Sequence, residues 1–153
     1  MQRIRHAVGA IIQQGQEYLL VHKVKGMDTL GGPRSIPGMW DFPKGGMKAG
    51  ETTIEAVLRE VREETGGERY RIVKQFDETI DFAFDEQTRQ SIGYDRQETT
   101  MFLLAYLGDR LELGPLDEEI DQVHFFSALE VCQHLAHRET KDYFLRVVLQ
   151  NIE

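Results

Sequence analysis

The sequence predicts an α+β protein, an α/β/α sandwich with a mixed β-sheet between helices. Three observations lead there. Strand-like segments outnumber helical ones, and the two kinds follow each other in mixed order. One amphipathic helical stretch stands mid-chain behind a glycine-rich turn. Two further helical stretches come at the end. With 153 residues, 41% hydrophobic and 29% charged, the chain carries enough apolar material for one core, and 1–153 is read as a single domain.

Taken in order, residues 4–12 read as a strand and 17–24 as its partner, joined by a turn at Gln14-Gly15-Gln16. Residues 25–38 are rich in glycine, contain Pro33 and Pro37, and read as loop. Residues 40–42 are at most a short strand ended by Pro43, and "KGGMKAGE" is another glycine-rich turn. Thr52 or Thr53 caps a helix that runs to about Thr65. Ile54, Val57, Leu58, Val61 and Thr65 form its buried stripe, and Gly66-Gly67 ends it. Residues 70–84 alternate in places and read as one long strand or two. Then come a polar loop at 85–96, a buried strand at 99–107, an acidic loop at 108–121 and a last strand at 122–126. Residues 127–137 and 140–152 read as helices.

Charge and cysteine use narrow the function. Eighteen basic against 26 acidic residues give a formal net charge of −8. That sign disfavours loose binding to long nucleic acid or anionic membranes, but not an anionic substrate held through cations. The single cysteine, Cys132, forms no internal disulfide and suits a reducing compartment. The N-terminal apolar run, 7–12, is too short for a signal core, and no later run approaches membrane length. A soluble cytoplasmic protein is the expectation.

The stretch "LREVREETGG" holds Glu60, Glu63 and Glu64. On a helix, positions i, i+3 and i+4 share one face, and like charges there cost a few tenths of a kcal/mol per pair. The three lie off the apolar stripe, so a solvated acidic face is the plain reading. Directly before the helix, however, Gly45, Gly46 and Gly50 allow close backbone approach to a ligand. Hard oxygen ligands beside such a loop suit Mg²⁺ or Mn²⁺, which cancel the repulsion and bridge to phosphate oxygens.

Written out, Gly45, Glu51, Arg59, Glu60, Val61, Glu63, Glu64 and Gly66 stand at the spacing of the Nudix box, and the chain resembles the Nudix hydrolases. One departure is Gly67, where the family usually has an aliphatic residue; that bears on packing more than on chemistry. The resemblance implies that Glu60, Glu63 and Glu64 bind metal, joined by the Gly45 carbonyl. It implies that Glu51 and Arg59 are structural, the arginine orienting the glutamates. The implied reaction is hydrolysis of a diphosphate linked to a further group. The general base is Glu60 or Glu63, or a glutamate of the later acidic loop, where Glu118 and Glu119 are candidates for base or metal ligand. Glu98, at a strand start, is a weaker candidate.

For the substrate, "WDFPKGG" resembles the approach to the box in members that cut diadenosine polyphosphates and in RNA 5′-pyrophosphohydrolases. The resemblance places Lys44 beside the metals as a polyphosphate contact. "IDFAFDE" lacks the proline that ADP-ribose members carry, and Phe84 stands about where diadenosine members have a tyrosine, able to stack on a base. Cys132 is badly placed for the cysteine of the isopentenyl diphosphate isomerases. The expected activity is metal-dependent hydrolysis of nucleoside or dinucleoside polyphosphates, diadenosine tetraphosphate among them. The alternatives are an oxidised-dNTP sanitiser, an RNA 5′-pyrophosphohydrolase, and a non-catalytic nucleotide sensor. The expected partner is a small nucleotide; family members often pair as dimers.

Outside the box, Arg34 in "GGPRSIPG" is a candidate phosphate clamp. Trp40 reads as core rather than a base-stacking ring. Tyr94 and Arg96 lie in a loop able to fold over a nucleotide. His134 and His137 have a zinc-compatible i, i+3 spacing without a third ligand, and His22 and His124 read as satisfied strand residues. Cys132 reads as a small buried hydrophobe.

Overall fold

A computed structural model describes residues 2–26 and 35–151. Alternation along three central strands builds two cores on opposite faces of one sheet. Val8, Ala10 and Ile12 of β1 (Ile4–Gln14), Leu19 and Val21 of β2 (Glu17–Lys25), and Phe102 and Leu104 of the later strand Arg96–Tyr106 face helix α1 (Thr53–Thr65). The residues between them, Ile11, Tyr18, Leu20, Met101 and Leu103, face the C-terminal helices. Period-2 alternation with both faces buried is what a sheet between helical layers requires.

The remaining strands are β3 (Ser35–Asp41), β4 (Lys44–Gly46), β5 (Tyr70–Gln75), β6 (Ile80–Ala83), β7 (Arg96–Tyr106) and β8 (Ile120–Ser127). The sheet runs β3-β2-β1-β7-β5, with β4 on β1, β6 on β7 and β8 on β2. β1 and β7 run parallel, from Ile4↔Arg96 to Gln13↔Ala105. The other pairings are antiparallel, so the sheet is mixed as expected. β1 and β2 pair only beside the turn, at Gln13↔Tyr18 and Gln14↔Glu17. Beyond it they part, β1 taking β4 and β2 taking β3 and β8. The functional cleft opens where they separate.

Helix α1 begins with a capping box, in which Thr52 accepts from Glu55 N–H and the Glu55 side chain accepts from Thr52 N–H. Gly66 ends it at φ 74°, the left-handed turn that favours glycine. Its buried face differs from the expected stripe. Ile54 and Leu58 are exposed at 47% and 39%, while Ala56, Val57, Val61, Glu64 and Thr65 are buried. The inward face is therefore centred on Val57 and Val61 and carries Glu64 with it. The departure at Gly67 also has its reason. A Cβ there would meet Leu113 Cδ2 at 2.7 Å and the Tyr70 hydroxyl at 2.8 Å, so these two fill the volume an aliphatic side chain would take.

Elsewhere the sequence reading needs correction. The expected loop 25–38 contains the start of β3, and Lys44–Gly46 of the expected glycine turn is β4, paired to β1. The stretch 70–84 is two strands, one of the two readings the sequence allows. The polar loop 85–96 contains helix α2 (Glu86–Ile92), capped by Asp85 and ended by Gly93. None of its residues is buried, so it has no apolar period to read. The first C-terminal helix is shorter than expected, and the second is helical over the expected length but only its first part is α-helix. α3 is Ala128–His134, and α4 is Arg138–Tyr143, which continues as a π-helical turn Phe144–Val148 and a last 3₁₀ turn Leu149–Asn151.

Candidate functional site

Arg59 organises the carboxylates. Its Nε donates to Glu51 Oε2 at 2.6 Å and its Nη2 to Glu51 Oε1 at 2.9 Å, a two-pronged pair. Its Nη1 donates to Glu60 Oε1 at 2.8 Å and to Glu63 Oε2 at 3.4 Å, and its Nη2 to the Gly46 carbonyl at 3.0 Å. Glu51 accepts as well from Lys48 N–H at 2.7 Å. The glycine loop and the helix are thus stitched through one guanidinium. The hydrogen bonds from Arg59, then that from Lys48, hold the Glu51 carboxyl down at about 2.

Glu60 and Glu64 lie deeper. Burial raises the Glu60 carboxyl, and its neighbour Glu63 adds to the rise, while Arg59 opposes it. Burial pushes Glu64 well above the carboxylate range, with Lys23 opposing. Their carboxyls share a hydrogen bond, yet Glu64 Oε1 is buried without a partner. A buried acceptor without a donor is costly, and a cation satisfies it. A Cβ at Gly45 would overlap the Glu60 carboxyl, so β4 passes against the cluster only because this residue is glycine.

The donor set is all hard oxygen, and with the orphaned Glu64 oxygen among them the residues fit Mg²⁺ or Mn²⁺. Among the described residues no three such side chains form a closed metal cage; Arg59 holds Glu60 and Glu63.

The acidic loop after β7 is docked on the end of α1. Gly114 N–H donates to the Thr65 carbonyl and Leu116 N–H to the Glu63 carbonyl, using carbonyls that the helix leaves open. This docking sorts the two loop glutamates. Glu119 lines the same cavity, about 870 Å³, as Glu60, Glu63 and Glu64. Glu118 is 91% exposed and pairs with Lys25 at 3.4 Å, so it stands away from the cluster. Glu98 pairs with His6 and Arg96 and does not line either cavity.

A second cavity, about 860 Å³, opens from the first and shares Arg5, Lys44, Gly45, Tyr94 and Glu119 with it. Its floor is cationic, with Arg5, Lys23 and Lys44, and its walls are apolar, with Ile36, Met39, Ile80 and Phe82. Lys44 is largely buried on β4. Its Nζ donates to Thr140 Oγ1 at 2.9 Å and lies 3.3 Å from Asp41. Gly9, opposite Lys44 in the sheet, leaves its stem room; a Cβ there would meet Lys44 Cγ at 2.9 Å. Phe84 does not line this cavity. It is buried edge-on against Phe82, and Phe82 is the ring that faces the cleft.

Tyr94 lines both cavities, whereas Arg96 pairs with Asp81 and Glu98 outside them. Arg34 lies outside the described residues. Trp40 packs edge-on against Phe126 and His134, in the core. His134 Nδ1 bonds the Glu130 carbonyl and His137 lines the cationic cavity, and among the described residues no group of three metal-ligating side chains includes them. His22 pairs with Asp121 at 2.7 Å, and His124 packs on Phe126. Cys132, within α3, packs against the core, where burial raises its thiol. Sequence reading missed Arg5, Lys23, Asp41, Asp117 and Thr140. Asp41 stands within "WDFPKGG", which does not single it out; the others carry no motif, and strand pairing, the docked acidic loop and helix α4 bring them to the cleft.

An α/β/α sandwich with a carboxylate-bearing helix beside a cationic cleft is the class the fold and site define. The chain belongs to the NUDIX domain family, whose profile matches residues 3–148. It is similar to the RNA pyrophosphohydrolase of Nitratiruptor sp., 30% identical over 92 residues, 59% of this chain and 59% of that protein. It is 27% identical over 115 residues to the RNA pyrophosphohydrolase of Campylobacter jejuni subsp. jejuni, 74% of this chain and 73% of that protein. The MutT protein from Methanosarcina mazei Go1 shares the fold, at a TM-score of 0.71 and 21% identity, over 99% of this chain and 98% of that one. Among the described residues no helix is long and apolar enough to cross a membrane.

Proposed function

We propose that the protein is a metal-dependent pyrophosphohydrolase that cuts a phosphoanhydride bond in nucleoside or dinucleoside polyphosphates. The observation that carries this reading is the union of two cavities, one lined by Glu60, Glu63 and Glu64 and the other floored by Arg5, Lys23 and Lys44. One side suits divalent cations and the other suits phosphate oxygens.

In this reading Glu60, Glu63, Glu64 and the Gly45 backbone hold Mg²⁺ or Mn²⁺. When bound, the cation supplies positive charge to phosphate oxygens as negative charge grows on them. Glu51 and Arg59 fix Glu60 and Glu63. Water attacks one phosphorus and loses its proton to a carboxylate. The P–O bond to the bridging oxygen breaks, and the leaving phosphate takes the electron pair. Glu119, on the cavity wall, is a better candidate for the proton acceptor than Glu118, which points to solvent. Lys44 and Phe82 contact the polyphosphate and the base, Phe82 replacing Phe84 in that role.

A second reading, the 5′-triphosphate end of RNA, is favoured by the names of the two bacterial relatives. The chemistry is the same, and the nucleotide is the first residue of a polymer.

The test is product release with Mg²⁺ and then Mn²⁺ from diadenosine tetraphosphate, ordinary and oxidised dNTPs, ADP-ribose and 5′-triphosphate RNA. Preference for the dinucleotide or free nucleotides supports the first reading. Preference for the RNA end replaces it with the second. Preference for an oxidised dNTP makes the protein a sanitiser. Metal binding without turnover of any of them overturns the enzymatic reading.

A further inference from the structure

Most polar side chains around the cavity of Ile80 and Phe82 are already bonded. The Gln97 amide is used at both ends: Oε1 accepts from Arg5 Nη1 at 2.5 Å, and Nε2 donates to Thr99 Oγ1 at 3.2 Å. Asp41 faces Lys44 and Lys23, and Thr140 Oγ1 accepts from Lys44. Lys25 pairs with Glu118. That leaves Ser91, Tyr94, His137 and Glu139 on the cavity wall, whose side chains make no hydrogen bond or salt bridge among the described residues. Of these four, only Glu139 presents two acceptors and no donor. Its place is fixed from both sides. Thr140, the next residue, is buried and bonded to Lys44 of β4. Further along, the Tyr143 hydroxyl donates to the Glu78 carbonyl at 2.5 Å, and Arg146 Nη1 donates to Glu78 Oε1 at 2.8 Å. These bonds tie α4 and its continuation to the turn before β6, the strand that carries Phe82. A carboxylate with both oxygens open and an aromatic ring thus border one cavity, on two elements held together.

We propose that Glu139 reads the nucleobase: its carboxylate accepts from N1–H and the N2 amino group of guanine while the base lies on Phe82, so that the cleft selects guanine nucleotides. The inference rests on the polyphosphate reading and narrows its base. Guanine alone among the common bases sets two donors side by side on its Watson–Crick edge, and a carboxylate offers two acceptors to match. Adenine and cytosine set an amino group beside a ring nitrogen with a lone pair. Uracil and thymine flank one donor with carbonyls. Each of these leaves an acceptor facing the carboxylate, which counts against the wrong base. The apolar walls, Ile80, Phe82 and Met39, suit the flat faces of a base better than the hydroxyls of a ribose. Glu139 is a specificity residue in this account, touching the base and no reacting atom. Among dinucleotides, diguanosine tetraphosphate is then preferred over the diadenosine compound.

The experiment measures binding apart from turnover. The full chain is titrated calorimetrically with GTP, dGTP, ITP and ATP in chelator, where no metal-dependent hydrolysis runs. GTP and dGTP are expected to bind about 5- to 150-fold tighter than ATP, the discrimination of one two-pronged contact to a base edge. ITP, which lacks the N2 amino group, falls between. Glu139→Gln offers one acceptor and one donor, which matches adenine. In it GTP binding weakens and ATP binding strengthens, and because the position is exposed the melting temperature stays near wild type. A residue that only shaped the wall would move both nucleotides in the same direction. Equal binding of GTP and ATP by the wild type, no measurable binding of GTP, or a guanine preference unchanged in Glu139→Gln overturns the assignment. A change in Glu139→Gln that separates GTP from dGTP but not from ATP overturns it too, and gives the carboxylate to the ribose. If guanine is preferred as expected but neither Mg²⁺ nor Mn²⁺ brings hydrolysis of GTP, the base rule stands and the hydrolase reading falls.

Discussion

The Glu60 carboxyl occupies the space in which a Gly45 side chain would begin. Gly45 has no left-handed backbone, so alanine fits its φ without strain, and the atoms it would displace are the flexible end of Glu60. Gly45→Ala is therefore expected to fold with a melting temperature near wild type. It moves Glu60 off Arg59 and out of the cluster, and a misplacement of about 1 Å costs on the order of 100-fold in rate. Circular dichroism and kcat measured together check this. A folded Gly45→Ala enzyme with full activity would show that the position of Glu60 does not matter.

Glu64 predicts the opposite split between stability and function. Its buried, unpartnered Oε1 destabilises the metal-free fold, and glutamine removes the charge at nearly the same volume. In chelator, Glu64→Gln should melt at or above the wild-type temperature. Added Mg²⁺ or Mn²⁺ at about 100 times its Kd stabilises the wild type by about 2.7 kcal/mol, and the variant by far less. Melting curves of both proteins with and without metal decide it. Equal stabilisation of the two removes Glu64 from the metal site.

The sequence made the frame of the site readable and left its second half obscure, for a physical reason. Glu51, Arg59, Glu60, Glu63 and Glu64 lie within one loop and one helix, where spacing along the chain is spacing in the fold. The central strands were legible because both their faces are buried, so residues 7–12, 18–21 and 101–104 stand out as continuous apolar runs. Lys23, Asp41, Lys44 and Thr140 come together through pairing of β2 with β3, of β1 with β4, and the packing of α4. No local pattern encodes that meeting. The helix face misled for a related reason. Ile54 and Leu58 fit the apolar period, but α1 packs on β1, β4 and β8 through Val57 and Val61, which turns Glu64 inward. At Phe82 and Phe84 the side-chain period of two puts both rings on one side, and burial alone separates the ring that packs from the ring that faces the cleft.

That separation yields a paired test. Phe82 is 38% exposed on the cavity wall, so Phe82→Ala should leave stability nearly unchanged. If it stacks on a base, worth about 1–3 kcal/mol, KM for nucleotide substrates rises roughly 5- to 150-fold. Phe84 is buried beneath it, and Phe84→Ala should cost about 3 kcal/mol of stability and leave the KM of the folded fraction alone. Denaturant titration and KM for both variants are the measurements. A KM effect confined to Phe84→Ala would return the stacking role to the buried ring.

Glu51 gives the acid limit of the fold. Its carboxyl is held at about 2 against an ordinary 4.5, first by the hydrogen bonds from Arg59 and then by Lys48 N–H. A depressed carboxyl adds stability that is complete above its unfolded value and disappears as protons return in the folded state. The stability gap between wild type and Glu51→Gln should therefore be constant from neutral pH down to about 4.5, shrink below it, and close toward 2. Urea midpoints of the two proteins across that range measure the gap. Because Arg59 also holds Glu60 and Glu63, activity at neutral pH falls in Glu51→Gln even where the protein is fully folded. A gap that stays level down to pH 2 would mean that the Glu51–Arg59 pair is not formed in solution, and that something other than Arg59 fixes the carboxylates.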